Sequence, residues 1–180
     1  MASIYDTVPT WLIGSTYNKY DIVKGTDTRY YYSVIDSNLA QNPITTTNLQ
    51  VEWDGYIVLN GILVPNFFWK PSYNSKINNR PRVKINQFGN GYQQRSADGL
   101  NFDLIEFSLS FQNRKEKETL SILHFLNERR GKDSFIYNLP SIYSKNSTTL
   151  NSRFICLDWS VIYISFDNYS IEALFNQVVI

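Results

Sequence analysis

Few residues of this chain are of a type that does acid–base, nucleophilic or metal chemistry, and their spacing limits what they can do. Its one histidine, His124, stands between Leu123 and Phe125 in a run of helical period, with Glu128 four residues on. General acid–base catalysis needs a pocket and a tuned pKa, whereas a His and a Glu one turn apart on a helix make a surface hydrogen bond or ion pair. Its one cysteine, Cys156, alternates with Phe154 along an extended run, the setting of a buried, inert thiol rather than a nucleophile. One Cys and one His also exclude an internal disulfide, a Cys-cluster metal site and a His-pair metal site within one chain.

Asp98, Asp103 and Glu106 lie close together and invite comparison with the paired acids of a glycosidase. Each falls beside a turn or on the polar side of an alternating run, where carboxylates are ordinary, and no motif of fixed spacing joins them. Neither catalytic residues nor a cofactor site are expected. Gly89-Asn90-Gly91 is not a phosphate loop, because such loops deliver backbone N–H groups at a helix N-terminus. Here the Gly-x-Gly lies between two extended segments, and its glycines supply positive φ in a tight turn. Tyr92 and Arg95 then project from the turn toward a neighbouring subunit, and with Gln94 they are the candidate subunit-interface residues. Lys76, Arg80, Arg82, Lys84 and Arg95 make an acid-free cationic run around it. Such a run is commonly a solvated loop or a contact with an acidic neighbour. A formal net charge of +1 argues against general capture of nucleic acid, which takes many cations together.

The elements that must carry these residues are mostly strands. Thirteen Tyr and 11 Phe in 180 residues favour pleated, half-buried surfaces. Ile105, Phe107, Leu109 and Phe111 alternate with Glu106, Ser108 and Ser110, which predicts a strand over 102–111 with one apolar face. A helix follows, capped by Asn113 with Glu116 three residues on. Leu120, Leu123 and Leu126, with Ile122 and Phe125, form its buried stripe, and Gly131 ends it after Arg129 and Arg130. A strand over 134–138 stops at Pro140, and a Ser/Thr/Asn-rich loop fills 141–152. Three strands, 153–159, 161–167 and 171–179, complete a β-sandwich or barrel with one packed helix, and the chain is expected to end tied into a sheet. No apolar run is long enough to span a membrane, and Met1 to Asp6 lack the pattern of a signal peptide, so a soluble chain made in a cytoplasm is expected.

Residues 1–58 read as a small β module of their own, joined to a second domain, 59–180, through a connector over 55–71. The connector holds an Asn60-Gly61 hairpin signal, and few contacts are expected to cross it. Trp11, Tyr17, Asp21, Val23, Gly25, Tyr31, Pro43 and Trp53 follow the pattern of, and resemble, the small chitin-binding-type carbohydrate modules. Tyr20 stands where that pattern has Gly, and Ile35-Asp36-Ser37 stands near the place of its exposed aromatic pair. Trp11, Tyr17, Tyr31 and Trp53 are therefore candidates for weak glycan contact or for the module's core.

Gly89, Gly91, Tyr92, Gln94 and Arg95 match the Gly-x-Gly-Tyr-x-Gln-Arg run of the minor tail protein M family of lambda-like phages. The closing Phe175 to Val179 is similar to that family's C-terminal strand. The resemblance implies a mainly β, tail-tube-like fold and a structural, non-enzymatic role at the tail tip of a virion. It implies a homo-oligomeric ring, a hexamer, lying between the tail tube protein and the tip hub proteins, with DNA only passing through its lumen. Low charge and long alternating strands suit such an edge-sharing ring. The N-terminal module would face side fibres or the cell envelope, without membrane insertion. The rival expectation is a carbohydrate-binding adsorption protein using that aromatic module. A tail-associated peptidoglycan hydrolase would need a cleft of convergent acids that the sequence does not display.

Overall fold

The structure, a computed structural model, describes residues 7–45, 47–138 and 152–179. The first six residues, the Pro140 stop and the polar loop read over 141–152 lie outside the described residues, Ser152 excepted. Among the described residues the fold is mainly β, with 47% in strands, one α-helix and several sheets, and no barrel closes.

The N-terminal strands are short: β1 (Thr16–Tyr17), β2 (Ile22–Lys24), β3 (Tyr30–Ser33), β4 (Asn38–Leu39) and β5 (Trp53–Asp54). A hairpin follows, β6 (Tyr56–Leu59) and β7 (Ile62–Pro65), turned by Asn60 at φ 50° and Gly61 at φ 78°. That double positive φ is what an Asn-Gly two-residue turn provides. The three-stranded sheet β2-β3-β5 has two buried faces. Val23, Tyr31 and Trp53 pack with Tyr17, Leu49 and Tyr56 into a small core of the module's own. The opposite face turns Ile22 and Tyr32 into the main core.

The second part holds β8 (Lys76–Asn79), β9 (Val83–Gln87), β10 (Gln93–Ala97), β11 (Ile105–Arg114), α1 (Glu116–Arg129), β12 (Phe135–Ile136), β13 (Arg153–Ser165) and β14 (Asn168–Val178). Its five-stranded sheet is antiparallel in the order β12-β13-β14-β11-β8. Period-two alternation sets its faces. Phe107, Leu109 and Phe111 stand opposite Phe175, Ala173 and Ile171 and are buried with them. Ser108, Ser110 and Glu172 occupy the other face, as one side of an antiparallel sheet can face water. The apolar side closes on α1 and on Phe67, whose ring lies 5.0–5.9 Å from those of Trp69, Phe111, Phe125, Phe135, Tyr137 and Phe175.

Several boundaries differ from the sequence reading. β11 starts at Ile105, not at 102, and runs on to Arg114. The two strands expected over 153–159 and 161–167 are one, because irregularities after Cys156 and Tyr163 absorb extra residues without ending the pairing with β14. Asn113 does not cap the helix: it sits in a register shift of β11 at φ 55°. The first helical N–H, of Glu116, donates instead to Oδ1 of Asp167 at 2.8 Å, from the β13–β14 turn. At the far end Arg130, at φ 50°, makes the cap, its N–H reaching the carbonyls of Leu126 and Asn127; Gly131 follows at φ 70°. Leu120 and Leu123 are half-buried, while Thr119, Ser121 and His124 are buried with Ile122, Phe125 and Leu126. The helix is covered on a second side, and the cover is the N-terminal module.

That seam is wider than the few contacts expected across the connector. The Tyr32 hydroxyl hydrogen-bonds Nδ1 of His124 at 3.0 Å, the Tyr30 ring meets the imidazole edge-on at 4.7 Å, and Lys117 pairs with Asp21 at 2.7 Å. Arg129 donates to the Tyr56 hydroxyl at 3.3 Å.

Candidate functional site and assembly surfaces

His124 is 6% exposed and is no surface partner of Glu128; its helix face lies under β3, which the helical period alone cannot report. Burial holds its imidazole below the ordinary histidine range. Cys156 is buried, donates weakly to the Asp158 carbonyl at 3.3 Å, and is pushed up to about 12 by burial, which leaves it an unreactive thiol. Glu106 accepts from Asn78 at 3.0 Å and faces Arg80 at 3.9 Å, whereas Asp98 and Asp103 lie on exposed chain. Among the described residues no three His, Cys, Asp or Glu side chains are grouped to hold a metal ion.

Trp11, Tyr17, Tyr31 and Trp53 fall together, on the inside. Tyr31 and Trp53 are fully buried, Tyr17 meets Trp53 edge-on at 5.4 Å, and Trp11 packs half-buried against the same cluster. Among the described residues, the large apolar side chains that the module exposes, Leu12, Ile13, Ile35, Leu39, Val51 and Val58, are all aliphatic. Sugar rings stack on flat exposed aromatics, and these four present none. Tyr20, at the Gly position of the carbohydrate-module pattern, takes φ 69°.

Tyr92, Gln94 and Arg95 lie on a two-stranded ribbon, β9 with β10, that joins no other sheet. Gly91 at φ 77° supplies the positive φ expected of the Gly-x-Gly turn, but the second positive φ is that of Asn90 at 64°, while Gly89 keeps an ordinary φ. Every residue from 79 to 103 is exposed, Tyr92 by 69%. Arg95 reaches Oε1 of Gln93 at 3.3 Å and has no ion-pair partner among the described residues.

Two further surfaces escaped the sequence reading because they are defined by what does not pair. β12 covers only Arg153 and Phe154 of β13, so among the described residues the outer edge of β13 carries no strand over 155–165. Leu157, Val161, Ile162, Tyr163 and Ile164 along it, and Phe166 at the turn, are exposed. Among the described residues β8 likewise leaves the opposite edge of the same sheet open. Between the edges, the outer sheet face forms a groove of about 430 Å³ lined by Lys76, Ser108, Ser110, Asp158, Ser160 and Glu172 together with the apolar Trp159 and Leu174.

Among the described residues the second part is thus an open-edged antiparallel sheet packed on one helix. Residues 65–179 match the phage minor tail protein family, and the chain belongs to it. It is a structural component of a phage tail, and so of a virion. Among curated proteins, tail tip protein M of Escherichia phage lambda is 31% identical over 113 residues, which cover 63% of this chain and 96% of that protein. The family match begins at residue 65 and does not reach the N-terminal module, and the comparisons give the carbohydrate-module resemblance no support.

Proposed function

We propose that this chain forms a homo-oligomeric ring at the tail tip, between the tail tube and the host-recognition hub, through which DNA passes. The observation that carries the reading is the pair of open edges on opposite sides of one sheet. β13 and β8 run in opposite directions, since each of the three neighbour pairs linking them is antiparallel. Setting β8 of one copy beside β13 of the next therefore continues the antiparallel alternation without a break. That contact is heterologous, and repeated by rotation it closes a ring. It also removes two exposed strand edges, one of them apolar, that would otherwise template aggregation.

A sheet closed in this way has the main core and α1 on one side and the groove on the other. Facing inward, the groove lines a wet channel in which the carboxylates of Asp158 and Glu172 outnumber the single cation Lys76, so DNA passes without tight binding. The six-fold count comes from the family resemblance, as do the tube and hub neighbours. The N-terminal module, clamped on α1, lies away from that channel and is open to side fibres. The role calls for no catalysis and no cofactor.

Native mass measurement of the purified protein, together with cryo-electron microscopy of the particle, tests the reading. Six copies around the tail axis with β8 against β13 are expected. A monomeric spike or a trimer at that position overturns it.

A further inference from the structure

We infer that the β9–β10 ribbon is a docking arm for an acidic, partly apolar face of a different tail protein, one that meets the end of the sheet rather than its edge. The inference rests on the ring reading and adds a contact to it.

The position of the arm follows from the ladders. β8 and β11 pair as far as Asn79 with Ile105. The Arg82 N–H then reaches the Phe102 carbonyl at 2.8 Å and the Asp98 N–H reaches the Arg82 carbonyl at 3.0 Å, which carries the pairing into the ribbon. The ribbon is thus the same hairpin continued past the Ile105 end of the sheet. The β13–β14 turn and the start of α1 lie at the other end, since Arg114 pairs with Tyr169 and Asp167 bonds Glu116. In a ring closed edge to edge, the copies consume the edges. What leaves through a sheet end meets whatever protein comes next along the tail.

The ribbon is also incomplete alone. Both strands are exposed over their whole length, and an isolated two-stranded hairpin is marginal in water. Its surface says what completes it. Directly paired residues share a face, so Val83 with Ala97 and Ile85 with Arg95 make one side apolar and cationic. Lys84, Asn86, Gln94 and Ser96 make the other side polar. Phe88 and Tyr92 close the tip with ring centroids 5.8 Å apart. Exposed aromatics with Arg beside aliphatic side chains have the composition of a protein interface. Nucleic acid fits less well: Lys84 and Arg95 point from opposite faces, Arg80 faces Glu106, and Arg82 donates to the Asn101 carbonyl. No acidic residue stands within either strand, so the complementary surface is acidic.

The test uses the full chain in assembling particles. With benzoyl-phenylalanine in place of Tyr92, illumination should cross-link this chain to another tail protein, at an acid-rich segment. Cross-links only to a second copy of this chain, or to DNA, overturn the inference. In parallel, the double variant Lys84→Glu, Arg95→Glu should keep the native mass of the purified oligomer while its copy number in purified tails falls tenfold or more. Unchanged incorporation overturns the arm. Loss of the oligomer itself assigns the ribbon to contacts between copies and overturns it too. The ring reading fails separately, on the stoichiometry of the unaltered chain.

Discussion

β11 with β14 and β9 with β10 are both antiparallel ladders of regular register, yet they differ in what stands behind them. Behind the first is an aromatic core, with every second side chain of β11 from Phe107 to Phe111 sealed against α1, Phe67 and Phe175. Behind the second is solvent on both faces. A strand pair inside the body is held by packing, and its sequence shows it by strict alternation. The ribbon is held by a turn, its backbone bonds and the Phe88–Tyr92 contact at its tip, and its sequence shows it by turn chemistry and charge. The first kind of order belongs to the chain, and the second is finished by a neighbour.

The comparison breaks most visibly at its packed end. Phe67 is 1% exposed and touches six aromatic rings, so Phe67→Ala leaves a large cavity in the centre of the main core. A loss of about 3–5 kcal/mol is expected in urea unfolding. A loss below about 1 kcal/mol would mean that the core is not close-packed and would erase the distinction drawn here.

How much of this was legible in the sequence follows the same division. The alternation of Ile105 to Phe111, the existence of the helix and the Asn60-Gly61 and Gly89-Asn90-Gly91 turns are local patterns, and the fold keeps them. What failed was long-range. The helix cap comes from Asp167, 51 residues away from Glu116, and displaces the local candidate Asn113. His124 is buried because Tyr32, 92 residues earlier, lies over it, and no helical period carries that information. β13 looked like two strands because its irregularities break the period-two pattern without breaking the ladder. The candidate interface residues Tyr92, Gln94 and Arg95 were found from their turn. The open edges were not, since an edge is known only once every pairing is known.

A middle-sized effect sharpens the boundary between body and module. Asp54 is buried on the face of the module sheet that looks toward the body, accepting from Asn66 at 2.9 Å and from the Gly55 N–H at 2.7 Å. Burial outweighs both bonds and pushes its carboxyl up to about 6. With the folded pKa above the unfolded one, the native state binds more protons between about 4 and 6. Stability therefore falls as pH rises through that window, and the destabilisation is complete above it. Asp54→Asn removes the ionisation and should stabilise the protein at pH 7 by on the order of 2 kcal/mol, with a gain that vanishes near pH 4. Paired urea titrations at the two pH values read it. Equal gains at both would show that the effect is packing and not charge.

The smallest global effect is expected on the ribbon, where backbone strain is the only lever. Gly91 sits at φ 77°, a conformation that suits glycine and penalises a β-branched residue, while a Cβ there would meet no atom within 4 Å. Gly91→Val thus strains the backbone alone, by roughly 1–3 kcal/mol. Because the ribbon shares no core with the body, that strain is relieved by opening the ribbon rather than by unfolding the protein. The urea midpoint should stay within error of the parent, while hydrogen exchange of the ladder amides from Gln93 to Ala97 should quicken roughly five- to 150-fold. Gly89→Ala, with ordinary φ and equally open space, should change neither. A shifted urea midpoint with unchanged exchange would show the ribbon coupled to the body, and the contrast between the two ladders would not hold.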